Sequence, residues 1–247
     1  MSAEAHTHAR PRSLLLGIVG LAAAGLLAIA LGPGGAEAAP KVTVLGAATP
    51  ANPTCPQACE AVAQTTGYQT KIGKIQDPFV VPFRGKIVAW SIKLGKPTGK
   101  DLEFFQDEFG NPQARLAILG PNMKKIKKGK LTYKLKKQSP VEGLQPFFGT
   151  TTTFTLQQPL GVKRNQVVAL TVPTWAPALA RIASNQMRWA ASRKKSRCGV
   201  SQDPAANLTQ IKEGTAQQAV GKDRFYGCQY RGARVLYSAT LVKNPKG

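Results

Sequence analysis

The chain has 247 residues and a formal net charge of +22, from 34 Lys and Arg against 12 Asp and Glu. Because 43% of its residues are hydrophobic and 19% are charged, it can build a folded core, which excludes a disordered polyelectrolyte. Both histidines, His6 and His8, precede an apolar N-terminal segment. Histidine-dependent serine or cysteine catalysis and His-ligated zinc are therefore excluded from the part of the chain that follows.

The N-terminus has the pattern of a secretory signal. Arg10 and Arg12 precede the uncharged run Leu14–Leu31, and an A-x-A tripeptide ends at Ala38. This order predicts a signal peptide over residues 1–38 with cleavage after Ala38. The apolar run of 18 residues is also at the lower limit for crossing a bilayer, so an uncleaved transmembrane anchor is the alternative. Both interpretations place the remaining residues outside the cytoplasm, as an extracellular or envelope-associated protein.

Four cysteines follow this segment, and an even number in an exported chain indicates two disulfides with three possible pairings. Proximity in sequence favours Cys55–Cys59 and Cys198–Cys228. The second bond would close about 30 residues and stabilise the fold by roughly 3 kcal/mol in the chain-entropy description. A zinc site built from all four cysteines is the alternative, although a C-x3-C pair with two distant cysteines is poor zinc spacing.

The rest of the chain reads as one mainly β domain. Residues 39–66 are predicted to be a linker that contains the Cys55–Cys59 loop and a short strand at Val42–Leu45, and residues 67–247 a single domain with a C-terminal disulfide-closed extension. Short β-rich runs separated by Gly, Pro and Asn are typical of an antiparallel sandwich. The predicted strands are Tyr68–Ile75, Lys86–Leu94, Ala114–Leu119, Leu131–Gln138, Thr150–Leu156, Gln166–Val172 and Arg234–Val242.

Two of these segments carry more detailed predictions. In Lys86–Leu94 the period of two places Val88, Trp90, Ile92 and Leu94 on one buried face. Between the strands, one short helix is predicted to begin after Thr98 and to end at Gly110, with an apolar stripe formed by Leu102, Phe105 and Phe109.

Three stretches also resemble a known group of proteins. Phe79–Pro121 (FVVPFRGKIVAWSIKLGKPTGKDLEFFQDEFGNPQARLAILGP) and the later runs YKLKKQSPVEGLQPFFG and LGVKRNQVVALTVPTWAPALA are similar to exported actinobacterial proteins with no assigned activity. The resemblance covers most of residues 55–198. It implies a jelly-roll-like β-sandwich and export, and it transfers no catalytic residue.

Residues suited to catalysis are few. Four acids lie close together in sequence on the predicted helix: Asp101, Glu103, Asp107 and Glu108. Acids in the first turn of a helix interact favourably with the helix dipole, so these residues have a structural explanation. The serines have no histidine base, and no G-x-S-x-G elbow, phosphate-binding glycine loop or calcium loop occurs. We therefore expect no catalytic residue, no metal and no cofactor. A carboxylate-dependent glycan hydrolase using the helix acids is the alternative.

Lysine density is the strongest chemical signal. The segment KKIKKGKLTYKLKK predicts a turn around Gly129, then a strand with Lys134 and Lys136 on its solvent face. A second basic group precedes Cys198. Solubility alone is met by a net charge of magnitude around 2–8, so +22 favours a polyanion-binding surface over lysines that only protect sheet edges. The predicted anion-binding residues are Lys124, Lys125, Lys127, Lys128, Lys130, Lys134, Lys136, Arg193, Lys194 and Lys195.

Aromatic residues offer a different class of function. Trp175 lies in the Pro-flanked sequence VPTWAP after a strand and is the predicted stacking residue for a sugar, which a carbohydrate-binding module would need. Trp90, in contrast, is predicted to be in the core.

Taken together, the sequence predicts an exported, non-enzymatic binding protein of the envelope or extracellular space. Its expected partner is an anionic cell-envelope polymer or polysaccharide, with a membrane surface as a further candidate, and export excludes intracellular nucleic acid. A carbohydrate-binding module and a carboxylate-dependent hydrolase are the alternatives.

Overall fold

Strands dominate the computed structural model, which describes residues 39–47, 50–182, 185–199 and 203–244. The predicted signal or anchor segment, residues 1–38, lies outside the described residues. The strands are β1 Val42–Leu45, β2 Val62–Ile72, β3 Ile75–Gln76, β4 Gly85–Lys93, β5 Gln113–Pro121, β6 Thr132–Gln138, β7 Glu142–Gly143, β8 Thr151–Val162, β9 Val167–Ala176, β10 Leu179–Arg181, β11 Met187–Ala191, β12 Asp223–Phe225, β13 Cys228–Arg231, β14 Ala233–Val235 and β15 Tyr237–Lys243. The helices are α1 Gly99–Phe109, α2 Met123–Ile126 and α3 Pro204–Lys212, and 3-10 turns occur at Gln145–Phe147 and Lys195–Arg197.

The strands form two principal sheets. One has four strands in the order β1-β15-β4-β8. The other follows the order β12-β6-β5-β9-β2-β11-β13, with β3 beside β2 and β7 beside β5, and β10 pairs with β14 separately. The paired strands in these sheets run antiparallel. The predicted mainly β, antiparallel sandwich architecture is therefore confirmed.

The larger sheet curls into a half-barrel. Its two edge strands in this order, β12 and β13, are consecutive in the chain and are joined by only Tyr226 and Gly227. A two-residue connection reaches about 10 Å at most, so the sheet must bend until its edges approach each other. This closure brings segments that are distant in sequence to one seam of the molecule.

The core fills the space inside this curl and between the two sheets. Trp90 of β4 and Leu116 of β5 are fully buried, and Phe79 stacks on Tyr237 with ring centroids 4.2 Å apart. Trp90 is thus a core residue, as predicted. All residues of the main cluster lie between Leu45 and Leu241, so the compact unit Ala39–Gly247 carries its own core.

A β-bulge corrects the predicted face of β4. The pairing of β4 with β8 and with β15 skips Val88, because the register shifts between Ile87 and Ala89 in both ladders. An extra residue of this kind reverses the side-chain alternation. Ile87 therefore joins Trp90 in the core, whereas Val88 is only half-buried.

Strand boundaries differ from the prediction mainly near the ends of the domain. β1 has the predicted bounds and pairs with β15, so the predicted linker contributes a strand to the four-stranded sheet. β2 begins at Val62 rather than at Tyr68. The predicted strand Arg234–Val242 is divided into β14 and β15, and the short strands β10 to β13 were not predicted.

The prediction of a single helix is wrong in number and right in place. α1 follows Thr98 and ends before Gly110, and Phe109 is its buried residue. α2 is one turn in the lysine-rich segment, and α3 follows Asp203, whose carboxylate accepts hydrogen bonds from the amides of Ala205 and Ala206. Among the residues that the structure describes, no helix has the length and apolar composition needed to cross a bilayer.

Both favoured disulfides are present. Cys55 is bonded to Cys59 and Cys198 to Cys228, and no cysteine in the described ranges is free. The thiols are consumed by these two bonds, so the alternative four-cysteine zinc site is wrong.

Candidate functional site

The lysine-rich segment forms a short helix and a turn ahead of β6. Asn122 caps α2 by accepting a hydrogen bond from the Lys125 amide, and Gly129 has a φ of +71°, which makes it the pivot of the turn as predicted. The exposed lysines ahead of β6 are Lys124, Lys125, Lys127, Lys128 and Lys130. In β6, Lys136 is exposed and lies across Gly120, whereas Lys134 is half-buried.

The structure brings the second basic group alongside this segment. Tyr226 donates its amide to the carbonyl of Leu131 at 2.8 Å, and Gly227 donates its amide to the carbonyl of Arg193 at 2.8 Å. Tyr226 therefore bonds to the end of the lysine-rich turn, next to Lys130, and the following residue, Gly227, bonds to the second basic group. Gly227 permits this approach because a Cβ there would lie 2.6 Å from the Arg193 carbonyl oxygen.

We call the resulting patch the joined basic surface. It contains ten cations against two acids, Glu213 and Asp223, which leaves a net of eight positive charges. Glu213 pairs with Arg197, and Asp223 lies 3.6 Å from Lys125 and accepts a hydrogen bond from Asn122 at 2.7 Å. The cations are Lys124, Lys125, Lys127, Lys128, Lys130, Lys194, Lys195, Arg197, Lys222 and Arg224.

A cleft of about 470 Å³ opens in this surface between the segments 192–197 and 223–225. Arg224 is fixed at its rim by two bonds from Nη1 to Thr215, at 2.5 Å to the carbonyl and 2.9 Å to the hydroxyl. The lining residues are Ser192, Arg193, Lys194, Arg197, Glu213, Gly214, Thr215, Asp223, Arg224 and Phe225. Four of these are cations and two are acids that already have cationic partners, so the cleft favours an anion.

Arg193 departs from the predicted exposed position. Only 6% of the residue is exposed, and its Nη2 donates to the carbonyl of Ala63. Burial lowers the pKa of Arg193 from its ordinary value, because desolvation disfavours the charged form. Within the described residues its Nε and Nη1 have no hydrogen-bond partner and it forms no ion pair. Arg193 is thus a buried cation in the cleft wall rather than part of an exposed patch.

Trp175 is also not where the sequence places it. It lies within β9 rather than in a loop, and it is fully buried. Its ring stacks on Phe105 of α1 at 4.8 Å, and Nε1 donates to the carbonyl of Gly110 at 2.7 Å. Trp175 therefore anchors α1 to the sheet. The prediction that it stacks on a sugar is wrong, because the ring is fully buried against Phe105.

The acids of α1 are engaged in local structure. Thr98 donates its hydroxyl to Asp101 at 2.9 Å, and Lys212 of α3 bonds to Glu108 at 2.6 Å. These contacts join α1 to Thr98, the residue before its first turn, and to α3. The proposed pair of hydrolytic carboxylates therefore gains no support from the arrangement of these two acids.

Behind β6 the half-barrel encloses a polar cluster of tyrosines. The hydroxyls of Tyr68 and Tyr133 are 2.7 Å apart, and Tyr226 donates to Gln217 Oε1 at 2.8 Å. Burial raises the pKa of Tyr68 and of Tyr226 well above the ordinary value for tyrosine. These groups stay neutral and hold β2, β6 and the β12–β13 connection together beneath the joined basic surface.

Two cations of this surface were missed from the sequence. Lys222 and Arg224 are isolated in the sequence GKDRF, without the density that drew attention to the lysine-rich segment. They become neighbours of that segment because β12 pairs with β6, with Asp223 opposite Lys134. No local pattern in the sequence predicts this pairing.

Comparisons with protein-family models, curated proteins and solved structures found no match to this chain. The resemblance to exported actinobacterial proteins therefore stays a prediction.

Proposed function

We propose that this chain is an exported, non-enzymatic protein that binds an anionic polymer of the cell envelope through the joined basic surface. The observation that carries the proposal is the joining of two basic groups, more than 60 residues apart in sequence, across the β12–β13 connection. Charges that served only solubility would not need to be concentrated where the β12 and β13 edges of the larger sheet approach each other.

The free charge of this surface supports binding to a polymer. Its two acids neutralise at most two of ten cations, so most of the lysines are available to phosphate or carboxylate groups. Several such contacts made at once release counterions, which gives affinity that falls steeply as salt is added. The cleft adds one recessed position, in whose wall two of the three guanidinium nitrogens of Arg193 lack a partner among the described residues.

The two disulfides support the exported location. Disulfides persist in oxidising compartments, and both bonds close within the unit Ala39–Gly247. An oxidising location outside the cytoplasm makes envelope polymers the accessible polyanions.

The first test measures binding of the 39–247 fragment to polyphosphate and to polygalacturonate across roughly 50–500 mM salt. The triple variant Lys124→Glu, Lys127→Glu, Lys128→Glu should bind at least tenfold more weakly. The slope of log affinity against log salt should also flatten, by about one for each contacting lysine removed. A preference between the two polymers would separate a phosphate ligand from a carboxylate ligand.

The matched control places the same charge reversal elsewhere. Lys93, Lys96 and Lys100 flank the start of α1, and their reversal to Glu changes the net charge by the same amount. This control should keep nearly full affinity. Equal loss in both variants would show that only net charge matters, and binding that persists in the first variant would reject the joined basic surface as the site.

A further inference from the structure

A second group of cations gathers around the N-terminal strand, where the sequence shows no lysine-rich segment. Lys243 donates its amide to the carbonyl of Lys41 at 2.9 Å, and Asn244 donates to the carbonyl of Arg84 at 3.3 Å. Lys86 is paired in register with Gly161, two residues before Lys163. We call this group the N-terminal cation cluster; it comprises Lys41, Arg84, Lys86, Lys163, Arg164 and Lys243.

The charge of this cluster is uncompensated. No acidic residue occurs in any strand of the four-stranded sheet that carries it. Within the described ranges none of the six cations forms an ion pair. Lys243 is half-buried and the other five are exposed, with Lys41 Nζ lying 5.6 Å from the centroid of the Phe83 ring.

Exposed apolar side chains border the cluster. Val42 and Val44 are on the same outward face of the edge strand β1, with 56% and 46% of each residue exposed. A surface that offers both cations and apolar side chains matches the boundary between phospholipid headgroups and acyl chains. A purely hydrophilic polymer would not use the valines.

The chain itself connects this surface to an apolar segment. Lys41 follows the last residue of the uncharged run, Leu31, by ten positions. A segment of 18 uncharged, mostly apolar residues has a bilayer as its natural environment.

We propose that the N-terminal cation cluster binds the surface of an anionic phospholipid bilayer, with Val42 and Val44 against the headgroup region. Clustered Lys and Arg next to a membrane segment are attracted by anionic lipids over roughly a Debye length. The cluster shares no residue with the joined basic surface, so the protein would contact a membrane and a polymer through different residues.

The test uses the 39–247 fragment, which carries its own core and lacks the apolar run. Sedimentation is measured with vesicles of phosphatidylcholine alone and of phosphatidylcholine mixed with phosphatidylglycerol. Wild-type fragment should partition to the anionic vesicles and not to the neutral ones. The triple variant Lys86→Glu, Lys163→Glu, Arg164→Glu should partition roughly tenfold or more weakly, while its polyphosphate binding stays intact.

The reciprocal variant makes the two proposals independent. Lys124→Glu, Lys127→Glu, Lys128→Glu carries the same charge change and should lose polyphosphate binding while keeping vesicle binding. If both triple variants lose vesicle binding equally, the assignment to the N-terminal cation cluster is wrong. It is also wrong if the variant Lys86→Glu, Lys163→Glu, Arg164→Glu keeps vesicle binding. Lys86→Gln, Lys163→Gln, Arg164→Gln provides a milder series, in which a smaller loss in the same direction is expected. Circular dichroism identifies any variant that fails to fold.

Discussion

A single buried guanidinium gives the joined basic surface its most unusual feature. Arg193 sits in the cleft wall with one nitrogen bonded to the Ala63 carbonyl and two nitrogens unpartnered among the described residues. A buried, unpaired cation is costly, and an anion in the cleft would offset part of that cost. The exposed lysines attract a polymer from a distance, whereas Arg193 favours an anionic group that enters the cleft.

Trp175 illustrates the opposite case, an aromatic residue whose role is structural. The Trp175→Ala variant should lose about 3–5 kcal/mol in the free energy of unfolding, because the cavity under Phe105 cannot refill completely. Urea unfolding monitored by circular dichroism measures this loss. Trp175→Phe keeps the stacking partner and should lose much less. Polymer binding by either folded variant should match wild type; a stable variant with lost binding would restore Trp175 as a ligand contact.

At the scale of elements, the pairing of β12 determines which cations lie beside the lysine-rich segment. It is three residues long, yet its pairing with β6 carries Lys222 and Arg224 to the lysine-rich segment. The turn after β12 then carries the chain to β13 and to the Cys198–Cys228 bond. The candidate site is therefore assembled by one short pairing and one disulfide rather than by a continuous motif.

The buried tyrosines that hold these elements together predict an alkaline limit to stability. Tyr68 and Tyr226 have raised pKa values when folded, whereas in the unfolded chain they ionise near pH 10. The free energy of unfolding should therefore be unaffected by these groups below about pH 9 and should fall as the pH rises past about 10.

Urea titrations between neutral and alkaline pH measure this dependence. Each tyrosine that stays protonated in the folded state contributes a slope of about 1.4 kcal/mol per pH unit above its unfolded pKa. Tyr68→Phe should remove one such contribution and flatten the curve. A stability that stays level well beyond pH 10 would contradict the assignment.

The predictability of these elements from sequence follows from how local their signals are. α1 was predicted at both ends because Thr98, its apolar stripe and Gly110 are all local. The face of β4 was predicted except at Val88, since a bulge depends on two neighbouring strands and leaves no mark in a period of two. The burial of Trp175 depends on α1 folding back over β9, which proline-flanked sequence cannot show.

The same distinction applies to the candidate site. The lysine-rich segment is recognisable in the sequence because its lysines are close together. The disulfide pairing is recognisable because the bonded cysteines are the closest ones in sequence. The N-terminal cation cluster was invisible, since its members come from separate strands and turns. Only the sheet register brings them together.

At the scale of the whole molecule, the net charge of +22 acts on stability as well as on binding. Self-repulsion among like charges destabilises a compact state, and salt screens it. Raising sodium chloride from roughly 20 to 300 mM should therefore raise the thermal midpoint of the 39–247 fragment while weakening polymer binding. Differential scanning fluorimetry measures the first effect. A midpoint that falls with salt would indicate that favourable ion pairs, rather than repulsion, dominate this surface.

The direction of β5 has a practical consequence. This strand begins just after the acid-bearing helix α1 and ends just before the lysine-bearing helix α2, about 30 Å away along an extended chain. The acids of α1 and the lysines of α2 therefore lie near opposite ends of β5. A copy that adsorbs to a negatively charged bead through the joined basic surface should turn α2 toward the bead and α1 toward the solution. A dye or antibody directed to the exposed Phe104 of α1 would then reach the copies adsorbed in this way, which makes such a layer an oriented sensor surface.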